Sequence, residues 1–489
     1  MKRFIHAAIA SIFIFHLNAP AFAGNTTIVK TRIGDLEFSH DFINGLPTEE
    51  SVRRLFDEMD FQRATQTYIW ALGPVSMMEW EKEAREKFGA GNLDLVQYTT
   101  YFEKLGILTA NATTPYLAAF TNLNETGPLV IEIPAGATAG LVNDYWHAIV
   151  SDMGLTGPDQ GKGAKYLVVG PGQTVEAGKD YRVIHSSTFS IFWGTRILDR
   201  DPKEAKRLLG AIKVYSYSKR KENVEMRLIS PPEGIRWLGN QPRGMEYWKR
   251  LNEFIQREPV QERDRLIMAM LKPLGIEKGK PFNPDARQEK ILLEGAILGE
   301  AMAKANSFHK RFEGAKYFEK GHWEELMMVH PSQRTEHYDQ LDERAAYQYE
   351  AFSTSLAMIS KTPGVGQAYL GGYVDEDGKA LDGSKTYRLR VPANVPAANF
   401  WSLTIYDVAT RCLIDNPQRK ADRSSRHDLV KNSDGSIDLY VGPEAPAGFE
   451  NNWVPSVKGK AWYSYFRLYG PEEAHFNKTW TLPDFEIVN

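Results

Sequence analysis

The sequence predicts an α+β protein, mainly β, and two observations carry that expectation. Short runs rich in β-branched and aromatic residues recur between Gly/Pro turns from Gly106 to about Arg200 and again from about Asp375 to the end. Between these regions, charged and apolar residues interleave at helical spacing. Strands at such short intervals point to a sheet sandwich or a barrel rather than a parallel α/β sheet. The chain divides accordingly into a leading segment at 1–23, a β-rich domain with leading helices at 24–200, a helical segment at 201–365 and a second sheet domain at 366–489. Its 489 residues suffice for two or three cores.

Taken in order, Met1 to Ala23 has the layout of a secretory signal. Lys2 and Arg3 supply the charged start, Ala7 to Leu17 the apolar middle, and Ala21-Phe22-Ala23 the small-x-small cleavage site. The mature chain is expected to begin at Gly24 and to be exported, periplasmic or secreted. The apolar run is shorter than the ~20 residues of a spanning helix, and no other run reaches that length, so no integral membrane segment is expected. Pro47-Thr-Glu-Glu-Ser51 opens a helix with acids in its first turn. Val52, Leu55, Phe56, Met59, Ala64, Tyr68 and Leu72 then lie mostly three or four apart, on one helical face, with an interruption near Gly73-Pro74.

Strands are expected at Tyr116–Phe120, Leu129–Ile133, Trp146–Val150, Tyr166–Val169, Tyr181–His185 and Thr188–Trp193. Gly157-Pro-Asp-Gln-Gly-Lys-Gly163 lacks the Gly-Lys-Ser/Thr ending of a phosphate loop and reads as a hairpin tip. Helices follow at Glu204–Tyr217, Met245–Gln256, Glu262–Leu271, Pro284–Lys304 and Asp342–Met358. The chain closes on strands at Lys385–Val391, Phe400–Tyr406, Ile437–Val441 and Ala461–Leu468.

Composition excludes several roles. With 59 Lys+Arg against 62 Asp+Glu the net charge is -3, so no global field draws in nucleic acid or anionic lipid. The one cysteine, Cys412, permits no intramolecular disulfide and reads as a buried, inert thiol. No nucleophile elbow, zinc signature or dinucleotide fingerprint is present, and no cofactor is implied.

Two groups of motifs carry a family resemblance. Asp382-Gly-Ser-Lys-Thr-Tyr-Arg-Leu, Asn399-Phe-Trp-Ser-Leu-Thr-Ile-Tyr-Asp407, Asn432-Ser-Asp-Gly435 and Arg467-Leu-Tyr-Gly-Pro471 resemble the domain of unknown function numbered 1214. Upstream, Asn111-Ala-Thr-Thr-Pro-Tyr116, Gly127-Pro-Leu-Val-Ile-Glu132, Asp144-Tyr-Trp146 and Asp152-Met-Gly154 resemble its usual partner, numbered 1254. The resemblance implies an exported bacterial protein with two β-sandwich-like, jelly-roll-like domains, helices packed around them, and no assigned activity. Many members carry Asp where this chain has Thr113, which removes a carboxylate from that motif.

The candidate site lies between Ala110 and Asp152. Asp144, His147 and Asp152 are the candidate catalytic set: as general acid/base groups or ligands they would serve a hydrolase, metal-assisted or not. On an extended strand Asp144 and Asp152 share a face that His147 does not, so a bulge or turn is needed to bring the three together, and no metal site is assigned. Asn111, Thr114, Tyr116, Trp146 and Arg196 are the candidate substrate-binding residues. Further aromatics at Tyr145, Trp193, Trp401, Tyr406, Trp453, Trp462 and Tyr465 are placed to line a cleft in which Arg196 or Arg467 fixes an anionic group. The leading expectation is a small-molecule or glycan binding protein with an aromatic cleft in its N-terminal domain. A hydrolase and an envelope assembly protein, homo-oligomeric or not, are the alternatives.

Overall fold

The computed structural model describes residues 26–222 and 226–488, so the signal expected at 1–23 lies outside the described residues. Contacts divide the chain into two units at Gln62/Arg63. In the first unit, Thr27–Thr31 and Gly34–Phe38 form an antiparallel hairpin, followed by the opening turns of the helix Glu49–Trp70. The Ser51 hydroxyl accepts from the Glu37 amide at 2.8 Å and Arg54 donates to the Asp35 carbonyl at 2.6 Å, which ties hairpin and helix together.

The second unit holds four sheets among the described residues, none closed into a barrel. The fold is α+β. A six-stranded sheet has the order Leu228–Ile229, Leu95–Tyr98, Tyr116–Asn122, Ser190–Ile197, Thr138–Asp144, Ile149–Gly154. A four-stranded sheet has the order Lys213–Ser216, Leu129–Ile133, Ala164–Val169, Tyr181–His185. Ile191, Trp193 and Val142 of the first meet Leu129, Ile131, Tyr166 and Val168 of the second in one core. Because side chains alternate along a strand, Phe192, Gly194 and Arg196 face the opposite way. Towards the C-terminus, Glu324–Glu325, Gln367–Gly372, Trp462–Pro471, Ala397–Asp407 and Asp422–Ser424 form an antiparallel five-stranded sheet. Trp453–Pro455, Ile437–Gly442, Thr386–Val391 and Glu486–Val488 form a further four-stranded one.

Helices Leu72–Phe88, Met245–Arg257, Ala286–Phe308 and Leu341–Glu350 pack together beside these sheets. The expected interruption occurs at Ala71, three residues before Pro74, which lies in the first turn of the next helix, where its missing N–H has no partner to lose. Gly73 is needed there because a Cβ would stand 2.5 Å from the Gln348 side chain.

Four local expectations are corrected by the structure. Trp146 to Ala148 form a turn, not a strand, because the Asp144 carboxylate accepts the amides of Trp146 and Ala148, each at 2.9 Å; the strand begins at Ile149. The helix from Pro202 stops at Ala211, and Lys213–Ser216 pairs with Leu129–Ile133. Gly157 to Gly163 is not a hairpin tip: it carries the chain from one sheet to another. The helix expected through Met358 ends at Glu350, since Asn143, fully buried, takes the Thr354 carbonyl at 2.8 Å and the Thr354 amide at 2.9 Å. Those two bonds are unavailable to a continuing helix, and they press residues 351–358 against the six-stranded sheet.

Asn143→Ala strips both partners from the buried Thr354 backbone. We expect a loss of about 2–4 kcal/mol in urea unfolding, because each stranded buried group costs about 1–3 kcal/mol. A loss below about 0.5 kcal/mol contradicts this role for Asn143.

Candidate functional site

The outward face of the six-stranded sheet and the five-stranded sheet enclose a cleft of about 740 Å³. That volume falls within the roughly 300–1,000 Å³ of small-molecule sites. Strands Tyr116–Asn122, Thr138–Asp144 and Ser190–Ile197 form one wall, and Gln367–Gly372, Ala397–Asp407 and Trp462–Pro471 the other. Residues 351–358 close a third side.

Its electrostatics are lopsided. Arg196, Arg200, Arg426 and Arg467 line the cleft against one described carboxylate, Asp199. Arg467 is buried and donates to the Tyr406 hydroxyl at 2.5 Å and the Thr109 carbonyl at 2.7 Å, both neutral. Arg196 lies over the Tyr116 ring, 4.6 Å from its centroid, and among the described residues makes neither an ion pair nor a hydrogen bond. The two guanidinium charges are close enough to oppose each other. Tyr469, buried between them and Phe400, has a hydroxyl without a hydrogen-bond partner.

Four of the expected binding residues, Asn111, Thr114, Tyr116 and Arg196, line this cleft; Trp146 does not. The Asn111 amide donates to the Tyr116 hydroxyl at 2.7 Å, and its side chain bridges the Thr113 amide and the Thr114 hydroxyl. Asn111 is therefore a brace for the loop. Lys104, buried beneath, donates to the carbonyls of Ala112 and Thr114. Burial pushes its pKa down to about 8, with Asp422 pulling the other way and Arg196 reinforcing the fall. Thr113 donates to Asp422 at 2.9 Å, so a carboxylate does stand at this motif but comes from the far wall.

Asp144, His147 and Asp152 are not among the cleft-lining residues and are engaged elsewhere. Asp144 holds the Trp146–Ala148 turn and accepts from Ser187 at 2.5 Å. His147, at φ 59°, has Nε2 3.2 Å from the Gly73 carbonyl, which assigns the ring proton to Nε2, and its Nδ1 is buried without a partner. Asp152 accepts the amides of Leu356 and Ala357, each at 3.0 Å. Asp152 thus supports the third wall from behind, His147 does so through its carbonyl, which accepts from the Thr354 hydroxyl, and Asp144 holds the turn that carries His147. Trp146 is buried among Trp70 and Phe254, with Arg263 and Arg344 over its ring at 5.1 and 5.4 Å. Among the aromatics named from sequence, Tyr465 lines the cleft and Tyr406 backs it through Arg467, while Trp193 and Trp462 are core.

Tyr369, Phe400, Arg426 and Tyr469 were not singled out by sequence. The alternation Tyr465-x-Arg467-x-Tyr469 was the available signal, since it puts three such side chains on one face of one strand. Cys412 is buried, and burial pushes its thiol up to about 12. Among the described residues no group of three or more His, Cys, Asp or Glu is placed to hold a metal ion. No helix among them is long and apolar enough to cross a membrane.

Two of these buried groups give the protein an opposed pH response. Burial lowers His147 from 6.5 to about 3, so the unfolded chain takes up a proton that the folded one refuses, and stability falls as pH drops from about 6.5 towards 3. Burial raises Asp152 from 3.8 to about 6, so its contribution is full below 3.8 and is lost as pH rises through 6. Urea unfolding between pH 4 and 7 should show a shallower acid loss in His147→Asn, whose side chain tolerates φ 59°, and a steeper one in Asp152→Asn. Slopes equal to the parent in both variants contradict the assignment.

Comparison with known proteins matches residues 94–216 to a protein of unknown function (DUF1254) and residues 366–473 to a protein of unknown function (DUF1214). The VPA0106 protein from Vibrio parahaemolyticus is similar in structure, with 16% identity, a TM-score of 0.55, and coverage of 88% of this chain and 100% of that one. An uncharacterized protein from Burkholderia cenocepacia aligns at 10% identity and a TM-score of 0.41, over 90% of this chain and 97% of that one. No curated protein matches the chain. The chain thus carries a DUF1254 match followed by a DUF1214 match, in tandem.

Proposed function

We propose that the protein binds a small organic anion in this cleft, with Arg196 and Arg467 holding the acidic group and Tyr116, Tyr369, Phe400 and Tyr469 embracing the body. One observation carries the reading: two neighbouring guanidinium groups, Arg467 buried and Arg196 half-buried, face a cleft of ligand size with no carboxylate paired to either. Arginine is suited to planar, bidentate recognition of a carboxylate, and aromatic walls supply contact area at low entropic cost. This supports an anion over a neutral glycan, and a ligand held between two sheet domains rather than within the first alone. Each domain reads as two sheets face to face, a sandwich-like body with helices beside it. The basic start, apolar run and Ala-x-Ala site at 1–23 support an exported binding protein. The hydrolase alternative draws on Asp144, His147 and Asp152, whose hydrogen bonds hold backbone behind the wall, and no observation favours it.

Thermal-shift measurement against small aliphatic and aromatic carboxylates tests the proposal. A binding acid should raise the melting temperature, since ligand at 100 times its Kd adds about 2.7 kcal/mol of stability. Arg196→Gln should weaken that acid at least tenfold, charged hydrogen bonds being worth about 1.5–3 kcal/mol. The unliganded variant should be no less stable than the parent, because removing one of two opposed charges relieves repulsion. No response to any acid, or an undiminished response in Arg196→Gln, contradicts the reading.

A further inference from the structure

The four cleft arginines fall into two pairs, and each pair draws one member from each domain. Arg196 lies in the DUF1254 region and Arg467 in the DUF1214 region; they form the inner pair, Arg467 buried and Arg196 half-buried. Arg200 and Arg426, from the same two regions, are exposed on the rim of the cleft and also oppose each other in charge. Asp199, the one described carboxylate lining the cleft, accepts from the Asp201 amide at 2.9 Å and so is partly engaged in its own turn.

Aromatic rings lie between the two pairs, stacked at either end and linked through the charges near Tyr469. The Arg426 guanidinium carbon stands 3.6 Å from the centroid of Phe400. Phe400 stacks on Tyr469 at 3.9 Å with 12° between the planes. Tyr469 in turn feels the charges of both Arg467 and Arg196. Arg196 lies on Tyr116 at the other side. These groups fix a cationic rim and a cationic floor at a set separation, with an aromatic strip between. Stacking on Phe400 also holds Arg426 in place, where a free rim arginine would be a mobile, hydrated charge.

From this arrangement, and resting on the anion reading above, we infer that the ligand class is an organic dianion: a molecule with an acidic group at each end and an apolar or unsaturated body between. The inner acid sits at Arg196 and Arg467 and the outer acid at Arg200 and Arg426, while the body lies along Phe400 and Tyr469. A single acidic group leaves the rim pair uncompensated. Two groups neutralise both pairs and draw both domains onto one molecule.

Isothermal titration calorimetry on the full mature chain, in a phosphate-free buffer of low chloride at pH 7.5, separates the possibilities. The probes are α,ω-dicarboxylates from four to ten carbons and their monomethyl esters, which keep the length and remove one charge. The expected result is a chain length at which the diacid binds at least tenfold more tightly than its half-ester. Arg426→Gln, and independently Arg200→Gln, should bring that diacid down to the half-ester's affinity and leave the half-ester unchanged. Both positions are exposed, so neither variant threatens folding. Equal binding of diacid and half-ester at every length, with both abolished by Arg196→Gln, overturns the dianion and leaves the single-anion reading standing. Absence of binding by every acid at millimolar concentration overturns both.

Discussion

Two neighbouring guanidinium groups on the cleft wall, Arg467 buried and Arg196 half-buried, neither paired to a carboxylate, are the constraint around which the cleft is organised. Removing a charge from water costs several kcal/mol unless something of opposite sign repays it, and folded proteins meet this cost by pairing the charge. Elsewhere this chain does so: Arg250, buried, is held by Glu79 and Glu253, and Glu81, buried, by Arg85 and Arg257. Arg467 receives neutral acceptors and Arg196 only a ring face. Lys104, Arg411 and Arg423, also buried, rest on neutral acceptors as well; what sets Arg196 and Arg467 apart is that both line the cleft, near enough to oppose each other.

The surrounding structure is arranged to keep those two charges where they are. Arg196 projects from the face of its strand opposite to Trp193, and Trp193 is locked in the core between two sheets. Arg467 is clamped by Tyr406 and Thr109, residues from different domains. The wall at residues 351–358 is pinned by Asn143, by the carbonyl of His147 through Thr354, and by Asp152. The conspicuous polar residues after the strand Thr138–Asp144 thus serve the site by shaping its enclosure and do not touch its contents.

Much of this was legible in the chain. The period-two runs located most strands, because a strand with one face in a core must alternate, and Leu129–Ile133 and Tyr181–His185 were placed to the residue. Asn111-Ala-Thr-Thr-Pro-Tyr116 pointed to the cleft because a polar loop beside a strand belongs at the rim of a sheet. The strand Thr138–Asp144 was hidden by its small residues: Gly140 carries no β signal, yet a Cβ there would meet the Gly194 carbonyl at 2.7 Å. The helix end at Glu350 could not be read locally, since the groups that stop it belong to Asn143, more than two hundred residues earlier. Asp144, His147 and Asp152 drew notice as chemistry-bearing residues, but the same donors and acceptors serve equally to satisfy buried backbone, and only the fold distinguishes the two uses.

The direct test of the uncompensated charges is crystallographic. Crystals soaked in bromide should show an anomalous peak within hydrogen-bonding reach of Arg196 and Arg467, and that peak should vanish in Arg196→Gln crystals soaked alike. Bromide sites confined to the outer surface, with none in the cleft, would contradict the account.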